Sequence, residues 1–265
     1  MLSTHFFAFI LSGLGAGLIA GMFGVGGGII VVPVLLFLFH LEAIDPLITM
    51  QLAVGTSLAT IVITNIAATW AHHQRDGVNW RLARLYLSGT IVGAMIGSQL
   101  AASISGARLV MLFGLFEIVV GIQMVRAKPP QPGAHRLPDA ATPALGVVIG
   151  TISALFGIGG GTLSVPSLTL LSGLPMRQAV GTSSAIGTPL ALIGAIGFVH
   201  AGWHHPALPA DTFGFFHPLA FLGIVIGSLV TSHLGVRLAH ALDQTLLKKG
   251  FGIFLLLLGI KLIWR

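Results

Sequence analysis

The sequence contains no cysteine, which excludes disulfides and thiol chemistry and leaves the redox compartment unreadable from that source. Charge is nearly as scarce. Only 8% of residues are Asp, Glu, Lys or Arg, against roughly 25% in soluble domains, so the chain cannot cover a water-facing surface. The first 25 residues lack a positively charged start, with only His5 near it, which argues against a cleaved signal peptide. No strand pattern precedes Gly24-x-Gly26, so a nucleotide-binding reading of that turn is poor. No Lys or Arg falls in the middle of an apolar run, and no mid-segment Ser/His pair suggests an intramembrane hydrolase.

What is abundant is apolar. Hydrophobic residues make up 55% of the 265, and the mean hydropathy is +0.97. These values describe a polytopic membrane protein. The 36 glycines exceed the usual share of about 7% and suit close helix packing in lipid. The net charge of +6 comes from thirteen Lys and Arg spread through short loops. They read as topology signals, not as a nucleic-acid surface.

Two stretches organise the chain. Phe23-Gly24-Val25-Gly26-Gly27-Gly28-Ile29-Ile30-Val31-Val32-Pro33 recurs as Phe156-Gly157-Ile158-Gly159-Gly160-Gly161-Thr162-Leu163-Ser164-Val165-Pro166, with seven of eleven positions identical at an offset of 133. Ala53-Val54-Gly55-Thr56-Ser57 recurs as Ala179-Val180-Gly181-Thr182-Ser183. Gly89 and Gly93 align with Gly223 and Gly227, and Phe113-Gly114-Leu115-Phe116 aligns with Phe251-Gly252-Ile253-Phe254. Four landmarks in one order identify an internal repeat. The repeats are 1–125 and 143–265. Residues 126–142 join them as a linker holding Pro129, Pro130, Pro132 and Pro138.

The expected fold is all-α and polytopic. Each repeat has a Gly-rich helix break or re-entrant hairpin followed by three transmembrane helices. The apolar piece after each glycine turn, Ile29 to Phe39 in the first half, is about half the roughly 20 residues that a spanning helix needs. Ten of the Lys and Arg collect on one side and three on the other, so the basic side is cytoplasmic by the positive-inside rule. Equivalent loops then fall on opposite sides, as they do in inverted-topology repeats. Whether each hairpin crosses or re-enters does not follow from charge.

The glycine turns are the first candidates for binding. If Gly26, Gly27 and Gly28, and likewise Gly159, Gly160 and Gly161, open the following half-helices, their N–H groups and positive dipole ends form anion sites. Packing alone is the competing reading. The hydroxyls of Thr56, Ser57, Thr182 and Ser183, with Ser184, could donate to the same anion or bond back to their own helix carbonyls. Glu117 is the one carboxylate deep in an apolar segment. Such a charge costs at least about 2.5–3.5 kcal/mol, so Glu117 is a proton-coupling candidate, with a neutral packing residue as the alternative. Its repeat counterpart is Leu255. His200 and His204 have i, i+4 spacing, but Gly202 and Pro206 argue against a helical metal site there. No metal and no cofactor are expected.

The paired Phe-Gly-x-Gly-Gly-Gly and Val-Pro turns and the paired Ala-Val-Gly-Thr-Ser starts resemble the sulfite exporter TauE/SafE family of membrane transporters. So do His73-x-Arg75-x-Gly77-Val78-Asn79-Trp80-Arg81 and Gly202-Trp203 with Leu208-Pro209 and Gly214-Phe215. The resemblance covers nearly the whole chain. Asn79 departs from an often acidic family position, with little consequence for fold. The resemblance implies export of sulfite, a small organosulfonate or a related anion across the cytoplasmic membrane; it does not fix the substrate. The expectation is therefore a secondary transporter of a small anion in the lipid bilayer, working by alternating access and not an enzyme. A passive anion channel is the alternative, and a non-transporting scaffold a third reading. Homo-oligomerisation is left open.

Overall fold

The computed structural model describes residues 2–23, 27–126, 138–241 and 244–264. Among them there is no strand. Ten helices follow in order: α1 (Leu2–Phe23), α2 (Gly28–Leu41), α3 (Pro46–His73), α4 (Trp80–Ser103), α5 (Gly106–Arg126), α6 (Thr142–Phe156), α7 (Gly161–Leu170), α8 (Met176–Gly202), α9 (Pro218–Ala241) and α10 (Gln244–Ile263). Six helical segments are long and apolar enough to cross a membrane, in α3, α4, α5, α6 with the turn before it, α8 and α9.

Local sequence sets the helix ends. Asp45 caps α3, its carboxylate accepting from the Leu47 amide at 2.8 Å, with Pro46 at the first helical position. Asn79 caps α4 by accepting from the Leu82 amide at 3.1 Å. An Asp in that place would cap equally well, which is why the departure from an acidic residue leaves the fold alone. Helices α9 and α10 run past their apolar stretches, and α10 takes in Lys248 and Lys249.

Helices α2 and α7 are the short ones. At about 1.5 Å per residue, 14 residues reach about 21 Å and 10 residues about 15 Å, well below the roughly 30 Å of hydrocarbon. Each has a proline at its sixth position, Pro33 and Pro166, which leaves the carbonyl four residues earlier without its helical donor.

Helix α3 is the centre of the bundle: 72% of its apolar window is buried, against 44% or less in the other spans. The main pairings join the two halves: α1 with α9, α6 with α4, α5 with α10 and α3 with α8. Small residues make these pairings close. A Cβ on Gly89 or Gly93 would overlap the α6 backbone at Pro143 or Val147, and one on Gly227 would overlap Ile10 of α1. In lipid no hydrophobic effect draws helices together, so backbone contact through small residues supplies the attraction. Large apolar side chains such as Leu100, Val119, Leu222 and Val230 face outward, as lipid requires.

Candidate functional site

Gly24, Val25 and Gly26 lie outside the described residues, so the first turn is seen from Gly27 onward. Gly27 is right-handed at φ −41°, and its carbonyl accepts from Ile30 and Val31 to start α2. The second turn is complete. Gly157 ends α6 at φ +69° and Gly160 opens α7 at φ +80°. Both values favour glycine, because a Cβ in that region clashes with the backbone. The Ile158 amide returns to the Ser153 carbonyl at 2.9 Å, and the Gly160 carbonyl accepts from Ser164 at 2.7 Å. The amides of Gly161 and Thr162 begin α7, where no intrahelical acceptor exists.

The two turns touch. A Cβ on Gly28 would overlap the Gly157 carbonyl and stand 2.8 Å from the Ile158 Cα. The clasp is tightened from α3, where the Ser57 hydroxyl donates to the Gly157 carbonyl at 2.9 Å. Thr56 and Thr182 hold loops instead. The Thr56 hydroxyl oxygen accepts from the His217 amide at 3.0 Å, and that of Thr182 accepts from the Asn79 amide at 2.9 Å. Ser183 is buried, and Ser184 bonds back to the Val180 carbonyl at 3.2 Å.

A cluster of unmet polar atoms surrounds the second turn. Ser153 Oγ, Thr162 Oγ1, Ser164 Oγ and Asn65 Nδ2 are shut off from solvent and have no hydrogen-bond partner. Ser153 and Ser164 are fully buried, and Asn65 and Thr162 are 5% and 9% exposed. A Cβ on Gly160 would lie 3.2 Å from Ser164 Oγ and 3.9 Å from Ser153 Oγ, while Asn65 Nδ2 packs against Gly159 and Gly187. Several other helix hydroxyls behave differently, although Thr69 Oγ1 is also unmet. Thr60, Thr90, Ser98, Thr169 and Thr188 all donate to a carbonyl three or four residues back. An unmet buried hydroxyl costs about 1–3 kcal/mol, so three beside one helix start need an explanation. Repeat arithmetic could have found them, because they sit at positions where the halves differ.

Glu117 lies on α5 among its neighbours Gly114 and Gly121, which abut Gly259 and Gly252 of α10. The carboxyl is fully buried, with neither oxygen hydrogen-bonded. It does not join the turn, but Phe113 and Phe116 on the same helix pack against Phe156, at centroid distances of 5.9 and 5.0 Å, immediately before Gly157.

Nothing near His217 in the chain marks it as a candidate. Its Nδ1 accepts from the Ala220 amide at 3.2 Å, so the neutral ring carries its proton on Nε2. That atom faces Asp211 and Glu42 carboxylates at 3.8 and 3.9 Å, while the ring stacks on Phe39. Burial lowers its pKa, with Asp211 opposing. His200 closes α8 and His204 lies beyond its end. Among the described residues no three His, Asp or Glu converge as metal ligands.

An all-helical bundle of membrane spans, with two short interrupted helices meeting inside it, defines a multi-pass membrane transporter. The chain belongs to the sulfite exporter TauE/SafE family, whose match covers residues 9–262. It is 35% identical over 262 residues to a probable membrane transporter protein of Haemophilus influenzae, covering 97% of each chain. A probable membrane transporter protein of Bacillus subtilis is 29% identical, with 98% of each chain covered. One from Methanocaldococcus jannaschii is also 29% identical, over 86% of this chain and 84% of that one.

Proposed function

We propose that this protein is a secondary transporter that exports sulfite, an organosulfonate or a similar small anion by alternating access. The anion is held where the two glycine turns meet, and its donors are N–H groups and hydroxyls. The observation that carries this reading is the contact of Gly28 with Gly157 and Ile158 inside the bundle. Irregular backbone is tolerated at membrane depth only inside protein or around a polar cavity. A pair of interrupted short helices meeting there is the architecture of a transporter's binding site.

The two halves, 1–125 and 143–265, are related by inversion, with 126–142 as a cytoplasmic linker. Matched contacts support this. Phe9 and Phe39 meet the ring of His217 just before α9, so the open end of the first hairpin lies beside the start of α9. Tyr86 of α4 hydrogen-bonds Ser167 at 2.7 Å, and Gly89 abuts Pro143, so the second hairpin opens beside the start of α4. Thr56 of α3 touches the start of α9, and His73 ends α3 beside α4. Seventeen helical residues, about 25 Å, separate those levels. Each hairpin enters from its own end and the tips meet between.

Glu117 carries the coupling proton in this scheme. A bare carboxylate at that depth costs about 2.5–3.5 kcal/mol or more, a cost that a proton removes. The aromatic contacts with Phe156 give it a packed route to the second turn.

The direct test is thermal stabilisation of the detergent-purified protein by sulfite, sulfate, thiosulfate and methanesulfonate. Binding of a ligand to the folded state alone raises the melting temperature with concentration. A saturable rise with at least one of these anions, and none with chloride, is expected. No rise with any of them contradicts the assignment of substrate class.

A further inference from the structure

The two turns match in sequence pattern but not in side-chain chemistry. At the repeat offset of 133, Ser153 corresponds to Ala20, Thr162 to Ile29 and Ser164 to Val31. At the offset of 126 that aligns Thr56-Ser57 with Thr182-Ser183, Asn65 corresponds to Ala191. For Ser153 and Ser164 the correspondence holds in space. A Cβ on Gly160 would face Ser164 and Ser153, and a Cβ on Gly27 would face Val31 and Ala20, at 3.6 and 3.5 Å. All four polar atoms around the second turn are without partners, and their counterparts in the other half, Ala20, Ile29, Val31 and Ala191, are apolar.

The geometry points to a one-sided oxyanion site. Its side-chain donors are Ser153, Thr162 and Ser164 on the second turn and Asn65 reaching it from α3, while the matching apolar positions of the first half supply none. This deepens the transport reading and rests on it. The sign of the ligand follows from the site. The start of α7 presents N–H groups and the positive end of the helix dipole, and Asn65 Nδ2 is a donor. Hydroxyls can turn their protons toward an acceptor. A ligand with several acceptor oxygens, such as a sulfite or sulfonate group, engages them together. Among the described residues no Lys or Arg takes part, so the anion is held by neutral donors and released without breaking an ion pair.

The experiment measures affinity and melting temperature on the same purified proteins, with sulfite, thiosulfate and methanesulfonate as probes. Ser153→Ala and Ser164→Ala are expected to weaken binding about tenfold or more, because each removes a hydrogen bond to a charged ligand. Without anion, both should melt at or above the wild-type temperature, since the deleted hydroxyl has no partner to lose. Gly15→Ala, on α1 where an added Cβ meets open space, should bind within about twofold of wild type. Thr162→Val is read in the same way if either serine variant does not fold. Wild-type affinity in both serine variants overturns the one-sided site while leaving the transport reading standing. Stabilisation by sodium alone, lost in Ser164→Ala, assigns the cluster to a cation and also overturns it. Failure of the wild-type protein to bind any of the three anions removes both readings at once.

Discussion

Single residues set the sharpest contrasts. Gly160 sits at φ +80°, so Gly160→Ala should cost about 1–2 kcal/mol from backbone strain alone. Gly27 is right-handed with ordinary contact distances of 3.5 Å around a new Cβ, so Gly27→Ala should change stability by no more than about 0.5 kcal/mol. Thermal denaturation of the two variants checks the difference, and equal losses would contradict it. In the repeat the two glycines occupy equivalent positions. The backbone angles separate them, and alignment has no access to angles. His217 allows a second test. Its pKa is lowered on folding by burial, so the unfolded chain binds the proton more tightly. Stability should be full above the ordinary histidine value of about 6.5 and fall as pH drops below it, levelling once the folded ring is protonated. His217→Gln should flatten that decline in a melting-temperature series from neutral to acidic pH. A decline equally steep in the variant would clear His217 of the effect.

At the scale of elements, the pairings of α1 with α9 and α4 with α6 depend on backbone approach at glycines. Gly93→Val and Gly227→Val place two methyl groups where Val147 and Ile10 already sit. Both should sharply lower the yield of folded protein, measured by size-exclusion profile, whereas Gly15→Ala meets open space and should be silent. These helices were legible in the sequence because long apolar runs and the aligned glycines mark them directly. The short helices were legible for the same reason, as apolar runs too brief to span. What the sequence withheld was the partner of each hydroxyl. Ser57 bonds across a hundred residues to Gly157, and Thr56 across 161 to His217, and no local pattern encodes contacts of that range. The unmet cluster was hidden for a related reason. Whether a serine on a helix bonds to its own backbone or points into a site depends on its neighbours in space. Ser153 and Ser98 look alike in sequence, yet Ser98 donates to the Met95 carbonyl and Ser153 donates to nothing.

At the scale of the molecule, inversion and coupling can be tested separately. In this cysteine-free chain, Gln74→Cys and His204→Cys are exposed on the loops before α4 and α9. A membrane-impermeant thiol reagent should label His204→Cys from outside intact cells and Gln74→Cys only after lysis; labelling of both from one side would contradict the inverted arrangement. Glu117→Gln should keep anion binding and lose its response to an imposed pH gradient, and an unchanged response would remove Glu117 from coupling. The central claim is that the protein carries its anion by alternating access. Counterflow tests it most directly, in liposomes containing the purified protein, loaded with unlabelled sulfite and diluted into a trace of radiolabelled sulfite. A carrier predicts transient accumulation of label above its equilibrium level, abolished in Ser164→Ala. Label that only rises to equilibrium, with no overshoot, would contradict alternating access and identify a passive pore.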